Sequence, residues 1–439
     1  MKLLFRSFAQ FVNARRWNSD FCHQIFSDAT QENPMRRPFH LMAKPVSYQC
    51  NISCDYCFYL GKEHGTLRPR QQQRHMDGKT LEQYIKQYID AHPGNEIEFT
   101  WQGGEPTLAG LAFYQQALEL QQKHARGKTI RNSMQTNGVL IDHTWATFLA
   151  QNNFLVGLSI DGPAFLHDHY RKTRSQHSVF EKVINAMNVL KQYDVEVNVL
   201  CVVNNVTAEH PDEIYHFLSQ ELGATFIQFI PAVEQLPASQ HYGELLYPQS
   251  LSQRTVTSWS VSGEQWGQFI IQVFDKWVRR DVGRVFIQLF DSALAAWLGE
   301  KPSLCVMQST CGFGLVVEQN GDVYSCDHYV YPEHRLGNIR RDNLEKMVNS
   351  KQQRKFGMAK AQVAAECERC EWRFACHGGC PKHRIHPSGK RWHNHLCAGY
   401  KAMFSHMDPY MKFMASQIQR QQPPAAVMDI TLPISNKPT

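Results

Sequence analysis

Between Phe39 and about residue 285, short β-rich runs alternate with amphipathic helical ones, and this alternation constrains the fold of the chain more than any other feature. Strands are expected over Phe39–Val46, Glu96–Trp101, Thr129–Thr136, Leu155–Ile160, Val195–Val203 and Thr225–Ile230. Helical periodicity predicts helices over Thr80–Ala91, Ala112–His124, Thr144–Asn152, Val179–Tyr193 and Pro211–Leu222, with another over Glu264–Arg280. Strands alternating with helices imply parallel βαβ units with right-handed crossovers. About six such units make a partial (β/α)6 version of the closed (β/α)8 barrel.

The residues just past these strands carry the unusual chemistry. After the first come Cys50-Asn-Ile-Ser-Cys54-Asp-Tyr-Cys57, after the second Gln102-Gly-Gly-Glu-Pro106, and after the third Gln135-Thr-Asn-Gly138. Ser159-Ile-Asp-Gly-Pro163 follows the fourth, and Pro231-Ala-Val233 the sixth. Ligands bind at the C-terminal ends of strands in parallel α/β folds, so one mouth would gather all five segments. Taken singly, Gly103-Gly104, Asn137 and Asp161 are ordinary turn residues.

A [4Fe–4S] cluster normally takes four thiolates. Three cysteines at x3 and x2 spacing would leave one iron without a protein ligand, where chemistry can happen. Zinc prefers two ligand pairs closing a tetrahedron, and no second pair lies near the triplet. Of the thirteen cysteines, eleven fall into three clusters, leaving Cys22 and Cys201. A disulfide scaffold would be smaller and richer in cysteine, so metal-bound thiolates in a reducing cytoplasm are expected. Cys201, inside an apolar run, reads as a small buried hydrophobe.

The C-terminal third holds Cys305-x5-Cys311-x14-Cys326 and Cys367-x2-Cys370-x5-Cys376-x3-Cys380-x16-Cys397. Asn320-Gly321 between apolar runs predicts a two-residue hairpin turn, which would set Cys326 opposite Leu315. These eight cysteines suit two fully ligated [4Fe–4S] clusters; spacing alone leaves two structural zinc sites open. His377, His383, His386, His393 and His395 read as loop or surface histidines.

The triplet resembles the radical S-adenosylmethionine signature. With Gln102–Pro106, Ser159–Gly162 and the eight later cysteines, it makes the chain similar to the anaerobic sulfatase-maturating enzymes from Phe39 to about residue 405. The resemblance implies a radical SAM partial barrel carrying a C-terminal cysteine-rich iron–sulfur extension of the SPASM type. It implies S-adenosylmethionine and three [4Fe–4S] clusters: one on Cys50, Cys54 and Cys57, a first auxiliary cluster on Cys305, Cys311, Cys326 and Cys380, and a second on Cys367, Cys370, Cys376 and Cys397. Tyr56, Gly103, Ser159 and Arg171 match positions that contact the cofactor, and Ala232 or Val233 would be the apolar contact near its adenosine. Asp327 falls on the family's catalytic aspartate. The implied reaction oxidises a Cys or Ser of a sulfatase to Cα-formylglycine, with a reduced flavodoxin or ferredoxin-like electron donor. Another SPASM-type peptide-modifying enzyme, such as a thioether-forming maturase, fits the cysteine pattern almost as well.

Composition narrows the rest. A net charge of +6, from 46 basic and 40 acidic residues mixed along the chain, is too weak to argue for nucleic acid as a partner and disfavours an RNA-modifying enzyme. An iron–sulfur sensor without catalysis would not need the cofactor loops. No run of 18 apolar residues exists, so no membrane span is expected. The expected organisation is an extension over 1–34, the barrel over 35–285, the auxiliary-cluster region over 286–405, and a helix with a flexible tail over 406–439.

Overall fold

The computed structural model describes residues 38–59, 75–237 and 254–430. The 1–34 extension with Cys22 and the final tail lie outside those residues. One ten-stranded sheet organises the chain. Its parallel strands are β1 (His40–Lys44), β2 (Glu96–Trp101), β3 (Thr129–Thr136), β4 (Leu155–Ser159), β5 (Glu196–Val203), β6 (Phe226–Pro231) and β7 (Phe286–Ile287), side by side in that order. The first six strands predicted from sequence are all present, in sequential parallel order.

Local signals explain the helices between them. Asp77 caps α1 (Gly78–Ala91) by accepting from the Thr80 N–H at 2.7 Å, satisfying one orphan donor of the first turn. α2 (Leu111–His124) and α3 (His143–Gln151) follow β2 and β3. α4 (Ala164–Tyr170) and α5 (Phe180–Gln192) lie between β4 and β5. The helix expected over Pro211–Leu222 is α-helical only as α6 (Pro211–His216), and then widens into a π-helical turn over Phe217–Glu221. A capping box of Ser262 and Gln265 opens α7 (Gly263–Arg280), whose Trp266, Phe269, Ile270, Val273, Phe274 and Trp277 are buried. That period is a core-facing stripe.

The sheet continues past both ends of the six-strand set. β7 pairs with β6 beyond residue 285, leading into α8 (Gln288–Trp297). On the other side, β8 (Gly314–Glu318) lies parallel to β1 from His40↔Gly314 to Lys44↔Glu318. β9 (Asp322–Tyr324) and β10 (Arg335–Asn338) add antiparallel strands outside it. Strands from both sides of residue 285 thus share one sheet.

The turn at Asn320-Gly321 differs from the two-residue form. Val316 pairs with Tyr324 and Val317 with Val323; the Gly321 N–H donates to Glu318 O at 2.8 Å with Gly321 at φ +85°. The register matches a three-residue loop with glycine at its left-handed position. Cys326 therefore comes level with Gly314, one residue from the position expected opposite Leu315.

After the short helix α9 (Lys351–Ala359) and the hairpin β11 (Arg384–Ser388)–β12 (Arg391–Asn394), the chain closes with α10 (Cys397–Gln419). This helix packs on α7 at a glycine crossing: a Cβ on Gly267 would sit 2.6 Å from Gly399 Cα. Only two glycines let the axes approach this closely. A methionine-rich face (Met403, Met407, Met411 and Met414) is buried against the barrel helices.

Candidate functional site

The C-terminal ends of the strands form the candidate site. Immediately after β1 the chain turns at Ser47 (φ 54°) into the cysteine triplet. Two backbone hydrogen bonds moor that loop to the next strand end: Gly104 N–H donates to Ser47 O at 2.6 Å and Glu105 N–H to Gln49 O at 2.7 Å. A Cβ on Gly104 would overlap the Gln49 carbonyl, and one on Gly103 (φ 143°) would lie 2.9 Å from Ser47 O. The glycines are therefore required by the close approach of two backbones. Glu105 is fully buried and accepts from Thr107 Oγ1 (2.6 Å), Thr136 Oγ1 (2.7 Å) and the Asn137 N–H (2.8 Å), locking the ends of β2 and β3 together. Asn137 Nδ2 reaches Asn51 Oδ1 at 2.8 Å and Cys50 Sγ at 3.6 Å.

On the far side of the triplet stands a buried brace. Tyr56 Oη donates to Asp161 Oδ2, and Arg171 Nε donates to the same oxygen at 2.8 Å. The other carboxylate oxygen accepts the Val202 N–H at 2.9 Å. Arg171 Nη1 lies 4.0 Å from Cys54 Sγ, and residues 53–54 pair with 171–172 as a two-residue ladder. Tyr56 and Arg171 are thus brought together, and Asp161 holds both. Ser159 ends β4 nearby, 7% exposed. Ala232 joins Ile52, Cys54, Tyr56 and Trp259 in one apolar cluster, whereas Val233 faces the main core. Of the two residues considered for an apolar contact, Ala232 is the one beside the triplet.

Across the mouth, the segment after β9 presents Asp327. Its Oδ1 accepts the His328 N–H at 2.9 Å and lies 3.3 Å from Cys326 Sγ. The His328 ring packs 5.1 Å from Phe58, the residue after the triplet. Lys44, 1% exposed at the end of β1, sits 3.9 Å over the Tyr59 ring and donates to Gln102 Oε1 at 3.2 Å. Burial lowers its proton affinity while Asp327, Glu318 and Cys57 act the other way. A second buried ammonium, Lys382, pairs with Glu234 and faces Phe58 from 4.8 Å. Lys44, Glu234 and Lys382 carry no motif of their own, and Asp161 lies within the Ser159–Gly162 motif with nothing local to mark it as the brace's centre. The one signal for Lys44 is a cation ending an apolar strand.

The eight later cysteines gather into two sets. Cys367, Cys370, Cys376 and Cys397 line one small, partly open cavity together with Tyr400 and Asn394. Burial, with smaller contributions from the other thiols of this set, pushes Cys376 up to about 12 and Cys397 up to about 11. In the other set, burial raises Cys305 to about 12 and Cys311 to about 11, with Cys380 adding to both; Cys326 is raised by burial and by Asp327, Cys305 and Cys380.

Residues 45–218 match the radical SAM superfamily and residues 308–371 the SPASM iron–sulfur cluster-binding domain. The chain is 44% identical over 403 residues to a serine-type anaerobic sulfatase-maturating enzyme of Bacteroides thetaiotaomicron, covering 91% of this chain and 97% of the relative. This chain belongs to the anaerobic sulfatase-maturating enzyme family. A cysteine-type member from Clostridium perfringens is 36% identical over 393 residues, covering 87% of this chain and 100% of its own. The solved structure of native anSMEcpe with bound AdoMet superposes with a TM-score of 0.76 at 36% identity, covering 86% of this chain and 100% of that one. Streptococcus suis SuiB bound to S-adenosylmethionine, at 13% identity and a TM-score of 0.55 over 90% of this chain and 87% of its own, shares the fold alone.

The donor sets fit the iron–sulfur chemistry of the family. Each set is made of thiols alone, the donors that iron–sulfur clusters take. Beside the first set, Lys360 is fully buried, and its Nζ bonds the carbonyls of Cys305 and Val306, the latter at 3.0 Å. A buried ammonium whose hydrogen bonds go to carbonyls calls for an anion nearby, and a thiolate-ligated cluster supplies one.

The raised thiols carry a pH signature. In iron-free protein the folded state holds protons on Cys50, Cys311 and Cys397 up to about pH 11, against 9.0 ordinarily. Their contribution to stability is fully present below pH 9 and lost as pH rises toward 11. Melting of apoprotein is expected to fall steeply over that window, while iron-loaded protein, whose thiolates are already deprotonated, keeps a flatter profile. Matching profiles for the two forms would show that these cysteines are not the ligands.

No helix among the described residues is long and apolar enough to cross a membrane.

Proposed function

We propose that this chain oxidises the side chain of a cysteine or serine in a sulfatase polypeptide to Cα-formylglycine. One observation carries the reading. The loop holding Cys57 and the segment holding Cys326-Asp327 face each other across the mouth, ring against ring at Phe58 and His328 (5.1 Å). A hydrogen-abstracting centre and a base would then address one substrate carbon from opposite sides.

When bound, the reduced triplet cluster and S-adenosylmethionine supply a 5′-deoxyadenosyl radical that removes hydrogen from the substrate Cβ, and auxiliary clusters supply an acceptor for the electron released next. Cys50, Cys54 and Cys57 would hold the first cluster. The set of Cys305, Cys311, Cys326 and Cys380 and the set of Cys367, Cys370, Cys376 and Cys397 would hold two more, three in all. The brace of Tyr56, Asp161 and Arg171 fixes the triplet loop, and Gly103, Ser159 and Ala232 shape the cofactor's side of the mouth. Asp327 takes the thiol or hydroxyl proton as the carbon radical gives up its electron, which leaves an aldehyde directly from Ser and, from Cys, a thioaldehyde that water hydrolyses with loss of hydrogen sulfide. Lys44 sets buried positive charge toward that base, while Lys382, ion-paired with Glu234, backs the Phe58 ring. Electrons would enter from a reduced flavodoxin or ferredoxin-like donor, in the cytoplasm.

Paired sulfatase-type peptides bearing Cys or Ser before Pro-x-Arg test the reading, given anaerobically to reconstituted, reduced protein and read by mass spectrometry. An aldehyde from at least one peptide, with 5′-deoxyadenosine, is the expected result. Deoxyadenosine without any aldehyde would keep the radical chemistry and reject the substrate. The relatives at 44% and 36% identity carry serine-type and cysteine-type names respectively, so both peptides are needed.

A further inference from the structure

Cys376-His-Gly-Gly-Cys380 is the shortest covalent link between the two auxiliary sets, since Cys376 belongs to the second and Cys380 to the first. All three intervening residues have positive φ: His377 at 47°, Gly378 at 75° and Gly379 at 62°. Backbone of this shape enters neither helix nor ladder, so its carbonyls need other donors. Two side chains supply them. Arg384 donates from Nε to Gly378 O at 3.1 Å and from Nη2 to His377 O at 3.1 Å, and its Nη1 reaches Gln362 O at 3.2 Å. Asn394 Nδ2 donates to Gly378 O at 3.1 Å. Arg384 and Asn394 are direct cross-strand partners at the open end of the β11–β12 hairpin, so one pair of opposed residues grips the link.

The fit leaves no slack. A Cβ on Gly378 would lie 2.9 Å from Arg384 Nη2, and one on Gly379 would overlap Asn394 Nδ2. Both clamp residues are buried, Arg384 at 8% exposure and Asn394 at 3%. Gly378 and Asn394 also line the cavity of the second set. The guanidinium bonds the very link whose two ends are Cys376 of the second set and Cys380 of the first. It therefore stands between the sets, and a guanidinium keeps its charge at any working pH.

We propose that Arg384, paired with Asn394, is a positioning residue shared by both auxiliary cluster sites, fixing their spacing and placing one permanent positive charge between them. Reduction adds negative charge to a cluster, so a neighbouring cation favours the reduced form and raises the potential of both. The inference rests on the reading that the two sets hold clusters.

Reconstituted full-length protein, wild type and the Arg384→Gln and Arg384→Lys variants, would be compared by iron and sulfide content and by potentiometric EPR titration. Wild-type protein holding only the triplet's cluster would overturn the underlying reading itself. Given loaded wild type, Arg384→Gln should lower both auxiliary potentials together, by about tenfold in the one-electron equilibrium, or about 59 mV. Joint loss of iron from both auxiliary sites, with the triplet's deoxyadenosine production retained and Arg384→Lys loading normally, would support the clamp equally. Full loading at wild-type potentials overturns the proposal, and so does an effect confined to one site. Should Arg384→Gln fail to fold, Arg384→Lys decides: wild-type loading and potentials support the charge's role, and potentials lowered tenfold overturn it.

Discussion

Asp327→Asn is expected to load all clusters and still form 5′-deoxyadenosine while losing aldehyde formation by about 10²–10⁴-fold, the usual contribution of a positioned base. The substitution is isosteric, and the amide oxygen can still accept the His328 N–H that Asp327 Oδ1 now binds at 2.9 Å. What disappears is the capacity to take a proton next to the substrate carbon. Deoxyadenosine and aldehyde should therefore uncouple, the first persisting without the second. Cluster content measured in the same samples separates this outcome from damage to Cys326, which lies 3.3 Å from the carboxylate. Wild-type aldehyde yields from the variant would remove Asp327 from the mechanism.

Arg171→Ala should have the largest effect on stability. Asp161 is 1% exposed, and removing its guanidinium leaves a carboxylate buried without a cation. Breaking a buried pair in this way costs about 3–5 kcal/mol. The Val202 N–H and Tyr56 hydroxyl remain as donors to Asp161, which places the expectation toward the lower end. Because residues 53–54 pair with 171–172, the triplet loop should loosen as well, with iron lost there before the auxiliary sites. A double variant with Asp161→Asn removes the stranded charge and should recover part of the loss. Unfolding free energies of the two single variants and the double, from anaerobic denaturant titration, would show it. Additive losses would mean that the pair does not act as a unit.

How far the sequence revealed these features depended on the distance over which each is encoded. Cysteine spacing and the Gln102–Pro106 loop are local, and they were readable because each lies within a few residues of a strand end. The brace is not local: Tyr56 and Asp161 are 105 residues apart, and nothing about Asp161 in a Ser-Ile-Asp-Gly turn distinguishes a structural carboxylate from a solvated one. The role of Lys44 is not local either, because its neighbours Tyr59, Gln102 and Asp327 come from three different segments. The register of the Asn320-Gly321 turn was missed by one residue, since the same dipeptide serves two-residue and three-residue loops. The place of β8 was invisible for a further reason. A run in a cysteine-rich region pairs, in parallel, with a strand about 270 residues earlier, and hydrophobic pattern alone does not choose a sheet neighbour.

That pairing also governs how the protein can be made. On a ribosome, β1 emerges about 270 residues before one of its flanking neighbours, β8. Until then the strand that leads into the cysteine triplet stays at an open edge, and unpaired strand edges favour aggregation. Contacts this far apart in sequence are slow to form. Dividing the gene at residue 285 should therefore yield an insoluble N-terminal fragment, rescued when the remainder is supplied in the same cell.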